Sequence, residues 1–245
     1  MARCVILHTA DFHNRLTPER AAKIKALKEA EPAALLLDAG DAVKAGNIGA
    51  QPGGEPTLRL MSEAGYDAMA MGNRESHPTR AVLRVKLRDA RFPVLAANLM
   101  AKRKPAPGRV DEYIIIDSLP GGITVGVFGL APQVTSPTSW WSKVTDYVFD
   151  DPVKTATGLS PKLREDCDLL IALTHIGIEL DRRVAEAADV DLVIGGHSHV
   201  PAAPPERVGH AWIAHAPPFA KAIGRIEVEV RPARVELMSA ETIPL

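Results

Sequence analysis

The sequence has 245 residues with nearly balanced charge: 29 lysine and arginine residues against 30 aspartate and glutamate residues, for a formal net charge of −1. This balance argues against binding of long nucleic acids, because proteins that bind them carry basic patches or stripes. No apolar run approaches the length of a membrane span, and the N-terminal residues lack the pattern of a signal peptide. We therefore expect a single cytoplasmic domain over residues 1–245, with no membrane partner and no indicated oligomeric state.

Strands and helices are predicted to alternate through the first part of the chain. Thr17 is expected to cap the first helix, with Pro18 in the first turn, where a missing N–H costs no hydrogen bond. Short apolar runs between the helices are typical of buried strands. The predicted strands cover Val5–Leu7, Ala34–Leu37, Ala68–Met71 and Val94–Ala97, and further helices cover about Glu55–Ala64 and Pro78–Ala90.

The second part of the chain is predicted to end in strands. Two apolar runs joined through Pro120-Gly121-Gly122 indicate a hairpin, Glu112–Leu119 with Ile123–Leu130. Alternating elements followed by a strand-rich tail predict a mixed sheet, or two packed sheets, with helices outside. The remaining predicted elements are the helices Val153–Glu165 and Leu180–Ala188, the strands Leu169–Leu173, Leu192–Ile194, Ala211–Ala214, Ile223–Val230 and Arg234–Met238, and loops at Pro105–Arg109 and Pro201–Pro205.

Seven residues of metal-binding type lie just after five of the predicted strands. In an open α/β sheet, ligands bind beyond the carboxyl ends of the strands, so these residues are expected to converge. Mixed oxygen and nitrogen ligation suits Mn²⁺, Fe²⁺ or Zn²⁺ better than Ca²⁺ or Mg²⁺. Of these ions, we expect Mn²⁺. Two such ions sharing a carboxylate are typical of phosphate-ester hydrolysis, with Asp41 as the candidate bridge. The seven residues are Asp11, His13, Asp41, Asn73, His175, His197 and His199.

Each of these fragments has a simpler interpretation when it is taken alone. An Asp-x-His or Gly-Asp turn is usually a capped turn, and His197-Ser198-His199 could be a polar loop. Their ordered occurrence, each after a predicted strand, favours a common site. Four of the eight histidines in the chain belong to this set.

These motifs resemble those of the calcineurin-like metallophosphoesterases, in the same order. The segments Gly65–Asn73 and Phe92–Asn98, and the opening Ile6–Asp11, are similar to the bacterial 5′-nucleotidase branch of that family. The resemblance covers nearly all of the chain and implies a four-layer αββα sandwich with mixed sheets. It also implies that one ion is held by Asp11, His13, Asp41 and His199, and the second by Asp41, Asn73, His175 and His197.

The motif Gly72-Asn73-x-Glu75, third in the family's order, departs from the family pattern at two positions. The family has a histidine that contacts phosphate and helps to protonate the leaving group, and this chain has Arg74 there. Three residues later, where the nucleotidase branch has an aspartate, this chain has His77. Arginine can grip phosphate oxygens bidentately but cannot act as an acid near neutral pH. We hypothesise that Arg74 binds the phosphoryl group and His77 supplies the proton; the alternative is that His77 caps the following helix. The predicted catalytic group is Arg74, His77, Asn73 and Glu75.

Three further residues are candidates for substrate contacts. Trp140 and Trp141 follow the strand that ends at Leu130 and could stack on a base or sugar, or could pack on their own loop or on a partner. His215 lies in a region that is near the mouth of the site in the family, although a satisfied strand histidine is an equal alternative. Bacterial 5′-nucleotidases carry a C-terminal domain that clamps the base; we expect this chain to lack it, so nucleotide specificity does not carry over.

The sequence therefore predicts a phosphohydrolase with two divalent metal ions that acts on small phosphomonoesters, such as nucleotides, by attack of metal-activated water. One alternative is a phosphodiesterase of the same superfamily, acting on cyclic nucleotides or as a nuclease. The other is a metal-binding regulatory protein that has lost catalysis, an alternative motivated by Arg74.

Overall fold

Two mixed sheets form the centre of the structure, a computed structural model that describes residues 2–102, 110–117, 119–231 and 234–245. The predicted loop Pro105–Arg109 lies outside these residues. The first sheet consists of β1 (Ala2–Thr9), β2 (Leu35–Asp38), β3 (Ala68–Ala70), β4 (Val94–Leu95), β6 (Val110–Asp111), β14 (Ala222–Arg231) and β15 (Arg234–Pro244). Its order is β15-β14-β1-β2-β3-β4-β6. Strands β1, β2, β3, β4 and β6 run parallel, and β14 pairs antiparallel with both β1 and β15.

The second sheet consists of β7 (Tyr113–Ile116), β8 (Val125–Leu130), β10 (Leu169–Thr174), β11 (Leu192–Gly195), β12 (Ala202–Val208) and β13 (Ala211–His215). Its order is β12-β13-β11-β10-β8-β7, and the four inner strands run parallel. The antiparallel pairing of β7 with β8 confirms the predicted hairpin. A separate antiparallel pair joins β5 (Leu99–Ala101) to β9 (Tyr147–Phe149).

Five α-helices cover the outer faces of the two sheets: α1 (Pro18–Ala30), α2 (Pro56–Ala64), α3 (Arg80–Lys86), α4 (Pro152–Arg164) and α5 (Ile178–Ala187). The Thr17 hydroxyl accepts the N–H of Arg20, as the sequence predicted for a cap. A 3₁₀ turn covers Trp140–Val144. None of the helices in the described ranges has both the length and the apolar character needed to cross a bilayer.

Three hydrophobic clusters show that the layers are helix, sheet, sheet and helix, as predicted. One cluster lies between the two sheets and includes Ile6, Leu37, Ala70, Val127, Ile171 and Ile194. The others lie under the helices, one with Ile24, Leu36, Leu58 and Met69, the second with Phe128, Ala156, Leu170 and Val184. The sheets approach so closely at Gly129 that a Cβ atom there would lie 2.3 Å from the Leu95 carbonyl group.

Two local predictions were wrong. Pro201–Pro205, predicted as a loop, lies largely within β12, an edge strand whose register shifts between Ala202 and Glu206. Proline cannot donate to a sheet ladder, but an edge strand tolerates it. Helix α3 is shorter than predicted, because Thr79 keeps the extended backbone of an N-cap and Leu87 already leaves the helix. The short strands β5, β6 and β9 were not predicted.

Candidate metal centre

All seven predicted metal-binding residues lie at carboxyl ends of strands. They follow β1 (Asp11 and His13), β2 (Asp41), β3 (Asn73), β10 (His175) and β11 (His197 and His199). Two groups of possible ligand atoms each lie within 4.8 Å of one another: Asp11, His13 and His199, and Asp11, Asp41 and His175. The fold thus brings residues from both halves of the chain into one site.

Asp11 is the carboxylate shared by these two groups. Its side chain is buried, and its Oδ2 atom accepts the backbone N–H of His197 at 3.0 Å. Its Oδ1 atom faces three imidazoles, at 3.2 Å from His199 Nε2, 3.4 Å from His13 Nε2 and 3.9 Å from His175 Nε2. The backbone bond to Oδ2 fixes the carboxylate so that Oδ1 faces the three imidazoles.

Asp41 offers both of its oxygens. The Oδ1 atom lies 3.4 Å from His175 Nε2, and the Oδ2 atom lies 3.7 Å from His13 Nε2. The backbone N–H of Arg74 donates to Oδ1 at 2.8 Å and holds the carboxylate in place. A Cβ atom at Gly72 would lie 2.3 Å from Oδ1, which explains the glycine before Asn73. This position between two imidazoles supports Asp41 as a bridge.

Two buried acceptor atoms at the site have no hydrogen-bond partner among the described residues: His175 Nε2 and Asn73 Oδ1. The Nδ1 atom of His175 donates to the Ala39 carbonyl at 2.6 Å, so Nε2 is the nitrogen that would bind a cation, once it has lost its own proton. The Asn73 amide group donates to Asn47 Oδ1 at 3.1 Å, which fixes the amide and turns Oδ1 away from Asn47. Buried acceptors are rarely left unsatisfied, so both atoms fit a role as metal ligands.

His197 and His199 lie on the exposed rim of the site. His199 Nε2 lies 3.2 Å from His13 Nε2, within the first group. The ring of His197 lies edge-on to that of His175, with 5.0 Å between their centroids, and is outside both groups.

The neighbouring charges determine the pKa values at the site. Burial opposes ionisation of Asp41, but the adjacent His175 imidazole, when protonated, outweighs this effect and lowers the pKa of Asp41 to about 2. Burial likewise opposes the charge on His175, and the carboxylates of Asp41 and Asp11 raise its pKa to about 9. The carboxylates are therefore ionised at neutral pH, the form in which they bind cations.

Five of the seven residues have left-handed backbone angles, a conformation that Asp, Asn and His adopt more readily than most residues. Asp41 has a φ of 57°, and the backbone N–H groups of Asp11 and His13 bond to the carbonyls of Gly40 and Asp41. These tight turns point the side chains into the crevice. The five residues are Asp11, His13, Asp41, His197 and His199, with φ between 48° and 78°.

Glu75 positions the site and has no oxygen free for substrate. It is fully buried, and its two oxygens accept four backbone N–H groups, those of Asp41 and Gly72 at Oε2 and those of Ala42 and Val43 at Oε1. Its motif predicts a catalytic role for Glu75. Its hydrogen bonds instead hold the turn that carries Asp41 against the turn that carries Asn73.

Lys86, which no sequence motif indicated, is a second buried residue that ties these turns together. Its side chain is fully buried in α3, and Nζ donates to the carbonyls of Gly46 (2.8 Å), Arg74 (2.5 Å) and Ser76 (2.8 Å), with Asn47 at 3.4 Å. Burial lowers its pKa to about 8. A lysine between apolar helix residues gives no sequence signal for this role.

Phe219 was also missed. Its ring packs edge-on against His13 and His199, with centroid distances of 5.4 and 5.0 Å, and its N–H donates to the Asp11 carbonyl. The guanidinium of Arg15 lies 4.4 Å from the ring centroid. Phe219 therefore supports two imidazoles that the sequence assigned to the first ion. Phe219 follows Pro217-Pro218, a pair typical of turns, but local sequence does not show the contact with the two imidazoles.

Arg74 lies at the site, and His77 has a different environment. The Arg74 Nε atom is 3.8 Å from Asp41 Oδ2, and the side chain is 30% exposed. The Nδ1 atom of His77 accepts the backbone N–H of Thr79 at 3.0 Å, which requires that Nδ1 carry no proton. Burial lowers the pKa of His77. These contacts hold the His77 ring at the turn before α3 and disfavour its action as an acid. The predicted capping role is not found either, because the N-cap of α3 is Thr79 and His77 accepts the N–H of that cap residue.

The predicted substrate contacts have different outcomes. His215 is buried, with Nε2 at 2.7 Å from Asp181 Oδ2, and Asp181 also accepts the Thr174 hydroxyl. The prediction that His215 binds substrate is corrected accordingly, because its Nε2 already has a buried partner. Trp140 and Trp141 are exposed and stack on each other with 4.3 Å between centroids.

The chain is similar to known proteins over most of its length. The family profile described as calcineurin-like phosphoesterase matches residues 4–201. The chain is 33% identical to human 5′-nucleotidase over 220 residues, which cover 79% of this chain and 38% of the human protein. It thus spans well under half the length of that relative.

Two solved structures share the fold. The 5′-nucleotidase precursor from Thermus thermophilus has a TM-score of 0.81 and 24% identity, and the match covers 100% of this chain and 54% of that one. The NAD nucleotidase of Haemophilus influenzae has a TM-score of 0.82 and 19% identity, with coverage of 100% and 50%.

Proposed function

The chain belongs to the calcineurin-like phosphoesterase family, and from this we propose that it is a metal-dependent phosphohydrolase of small phosphomonoesters such as nucleotides. The observation that carries the proposal is the crevice in which Asp11, Asp41 and His175 meet. Two buried acceptor atoms there have no hydrogen-bond partner within the part of the chain that the structure describes. Relatives named 5′-nucleotidase support a nucleotide substrate.

We propose that two divalent ions bind at this crevice, in line with the dinuclear site of the family. The first ion would be held by Asp11, His13, Asp41 and His199. The second would be held by Asp41, Asn73, His175 and His197. When bound, such ions activate water and neutralise phosphate charge. Imidazole and carboxylate ligands together favour Mn²⁺, Fe²⁺ or Zn²⁺.

Arg74 is proposed to bind the phosphoryl group. Its guanidinium lies beside Asp41 and is partly exposed, so it can reach a phosphate at the crevice. Two parallel N–H donors match two phosphate oxygens, and the fixed positive charge stabilises the negative charge that develops during transfer. Because arginine keeps its proton, this residue does not replace the acid of the family's third motif.

Hydrolysis of a substrate panel tests the proposal. The panel contains p-nitrophenyl phosphate, its bis ester, nucleoside monophosphates and 2′,3′-cyclic nucleotides, each with Mn²⁺ and with chelator. We expect turnover of the monoesters with Mn²⁺ and its loss with chelator. Turnover of the diesters alone would instead identify a phosphodiesterase. No turnover with metal demonstrably bound would contradict hydrolysis and favour the regulatory alternative.

A variant of His77 tests how the leaving group is protonated. Since Nδ1 of His77 already accepts the Thr79 N–H, we expect the His77→Asn variant, which keeps an acceptor, to hydrolyse an alkyl phosphate within about three-fold of the wild type. Loss of a general acid would cost about 10²–10⁴-fold. A loss of that size on the alkyl ester, with p-nitrophenyl phosphate unaffected, would restore the acid role of His77.

A further inference from the structure

A pocket of about 260 Å³ opens next to the proposed metal centre. It is formed by the loops that follow β2, β3 and β8, so it lies at the same edge of the sheets as the metal-binding residues. Its walls are mainly apolar and aromatic, with a few polar groups between them. The residues that matter here are Asn47, Ile48, His77, Val134, Trp141 and Tyr147.

Exposed apolar side chains gather at this pocket. Among the described residues, the four most exposed large apolar side chains are Ile48 (80%), Trp140 (66%), Val144 (63%) and Trp141 (56%). Ile48 and Trp141 line the pocket, and Trp140 and Val144 belong to the same 3₁₀ turn as Trp141. Single exposed apolar residues are ordinary, but a contiguous group of them marks a binding surface.

The two tryptophans are arranged so that one supports the other. Their rings stack at 27° with 4.3 Å between centroids. Trp141 lines the pocket, whereas Trp140 covers the indole of Trp141 from one side. Trp141 is therefore held in place by its neighbour and presents an aromatic surface to the pocket.

Some polar groups of the pocket already have hydrogen-bond partners within the protein. The Tyr147 hydroxyl accepts the backbone N–H of His77 at 2.9 Å and keeps its own proton for another acceptor. His77 Nδ1 accepts from Thr79, so its ring is fixed. Apolar walls with a small number of fixed polar groups are the usual composition of small-molecule sites.

The pocket is joined directly to the metal centre through Asn73. The Asn47 side chain in the pocket wall accepts the Asn73 amide N–H at 3.1 Å, and the Ser76 hydroxyl, also in the wall, donates to the Asn73 carbonyl at 2.8 Å. Asn73 therefore lies at the boundary between the proposed metal centre and the pocket.

We propose that this pocket binds the planar aromatic ring of the substrate's leaving group, with Trp141 stacked on that ring. The inference rests on the proposed function, since it places the phosphate at the metal centre. The volume is slightly below the roughly 300 Å³ at which pockets for drug-sized ligands begin, so it fits one ring system. Stacking on an aromatic side chain is tolerant of base identity, so the pocket selects for a ring rather than for one base.

Two substrates with the same ester bond test the inference: adenosine 5′-monophosphate and ribose 5-phosphate, which lacks the base. Stacking contributes about 1–3 kcal/mol per base, so we expect Trp141→Ala to lower the ratio of their kcat/KM values at least five-fold. The ratio is independent of the fraction of folded enzyme. Trp212→Ala, a matched control on β13 outside the pocket, should leave the ratio unchanged. Equal losses on both substrates in Trp141→Ala would overturn the inference.

Binding of adenosine in the presence of chelator, measured by calorimetry, separates this inference from the proposed function. We expect Trp141→Ala to weaken this binding at least five-fold. If the substrate panel shows no hydrolysis but adenosine binding depends on Trp141, the ring-binding pocket stands and the hydrolase proposal fails. The ring-binding inference is overturned if the wild type does not bind adenosine and the ratio of the two kcat/KM values does not depend on Trp141. The exposed apolar residues would then indicate a surface that binds a protein partner.

Discussion

Replacement of Asp41 with asparagine is expected to lower Mn²⁺-dependent hydrolysis of p-nitrophenyl phosphate by more than about 100-fold. Loss of groups that merely orient metal ligands costs about 10–100-fold, and Asp41 is proposed to contact both ions. Its Oδ1 and Oδ2 atoms face His175 and His13 respectively. Asparagine keeps the volume and one oxygen, but it removes the negative charge and turns an NH₂ group toward one imidazole.

The measurement is kcat/KM together with metal content per chain after dialysis. Asp189→Asn is the matched control, because Asp189 is a surface residue that pairs with Arg164 and His210. It should retain the activity and metal content of the wild type. An Asp41→Asn protein with near wild-type turnover would show that Asp41 is not a bridging ligand and would shift that role to Asp11.

Replacement of Lys86 with methionine is expected to lower the free energy of unfolding by about 3 kcal/mol or more. Methionine fills much of the same space, but the carbonyls of Gly46, Arg74 and Ser76 would lose their donor inside the protein. Each buried polar group left unsatisfied costs about 1–3 kcal/mol. The loss of positive charge also removes a cation that interacts with the buried Glu75 carboxylate, whose charge opposes the lowering of the Lys86 pKa by burial.

Urea unfolding followed by circular dichroism provides the measurement. Lys162→Met on the exposed face of α4 makes the same chemical change at the surface and should alter stability by no more than about 0.5 kcal/mol. A Lys86→Met protein as stable as this control would show that water or a shifted loop satisfies the carbonyls. We also expect weaker metal binding in Lys86→Met, since the turns that carry Asp41 and Asn73 would loosen.

The convergence of the proposed metal-binding residues could be predicted because each follows a pattern that the sequence displays directly: an apolar strand followed by a turn with a ligand-type side chain. Asp11 and His175 are examples, and their convergence follows from parallel strands sharing one edge. The layered fold followed from the same alternation of elements.

Other features depend on contacts between distant segments, which local patterns do not show. Glu75 was assigned to catalysis because of its motif, whereas its role arises from backbone N–H groups of a turn 32–34 residues earlier. Lys86 occupies a position that local sequence does not distinguish from a surface lysine. The prolines at Pro201–Pro205 argued for a loop, and the edge position of β12 overrode that preference.

The left-handed backbone at five proposed ligands has a consequence for stability. Glycine would adopt these angles without strain, whereas an aspartate or histidine there costs on the order of 1 kcal/mol. Without metal, the fold is therefore less stable than it would be if these turns were unstrained. Bound ions increase the free energy of unfolding in proportion to the logarithm of the ion concentration. The melting temperature of this protein should therefore report the free metal concentration around it.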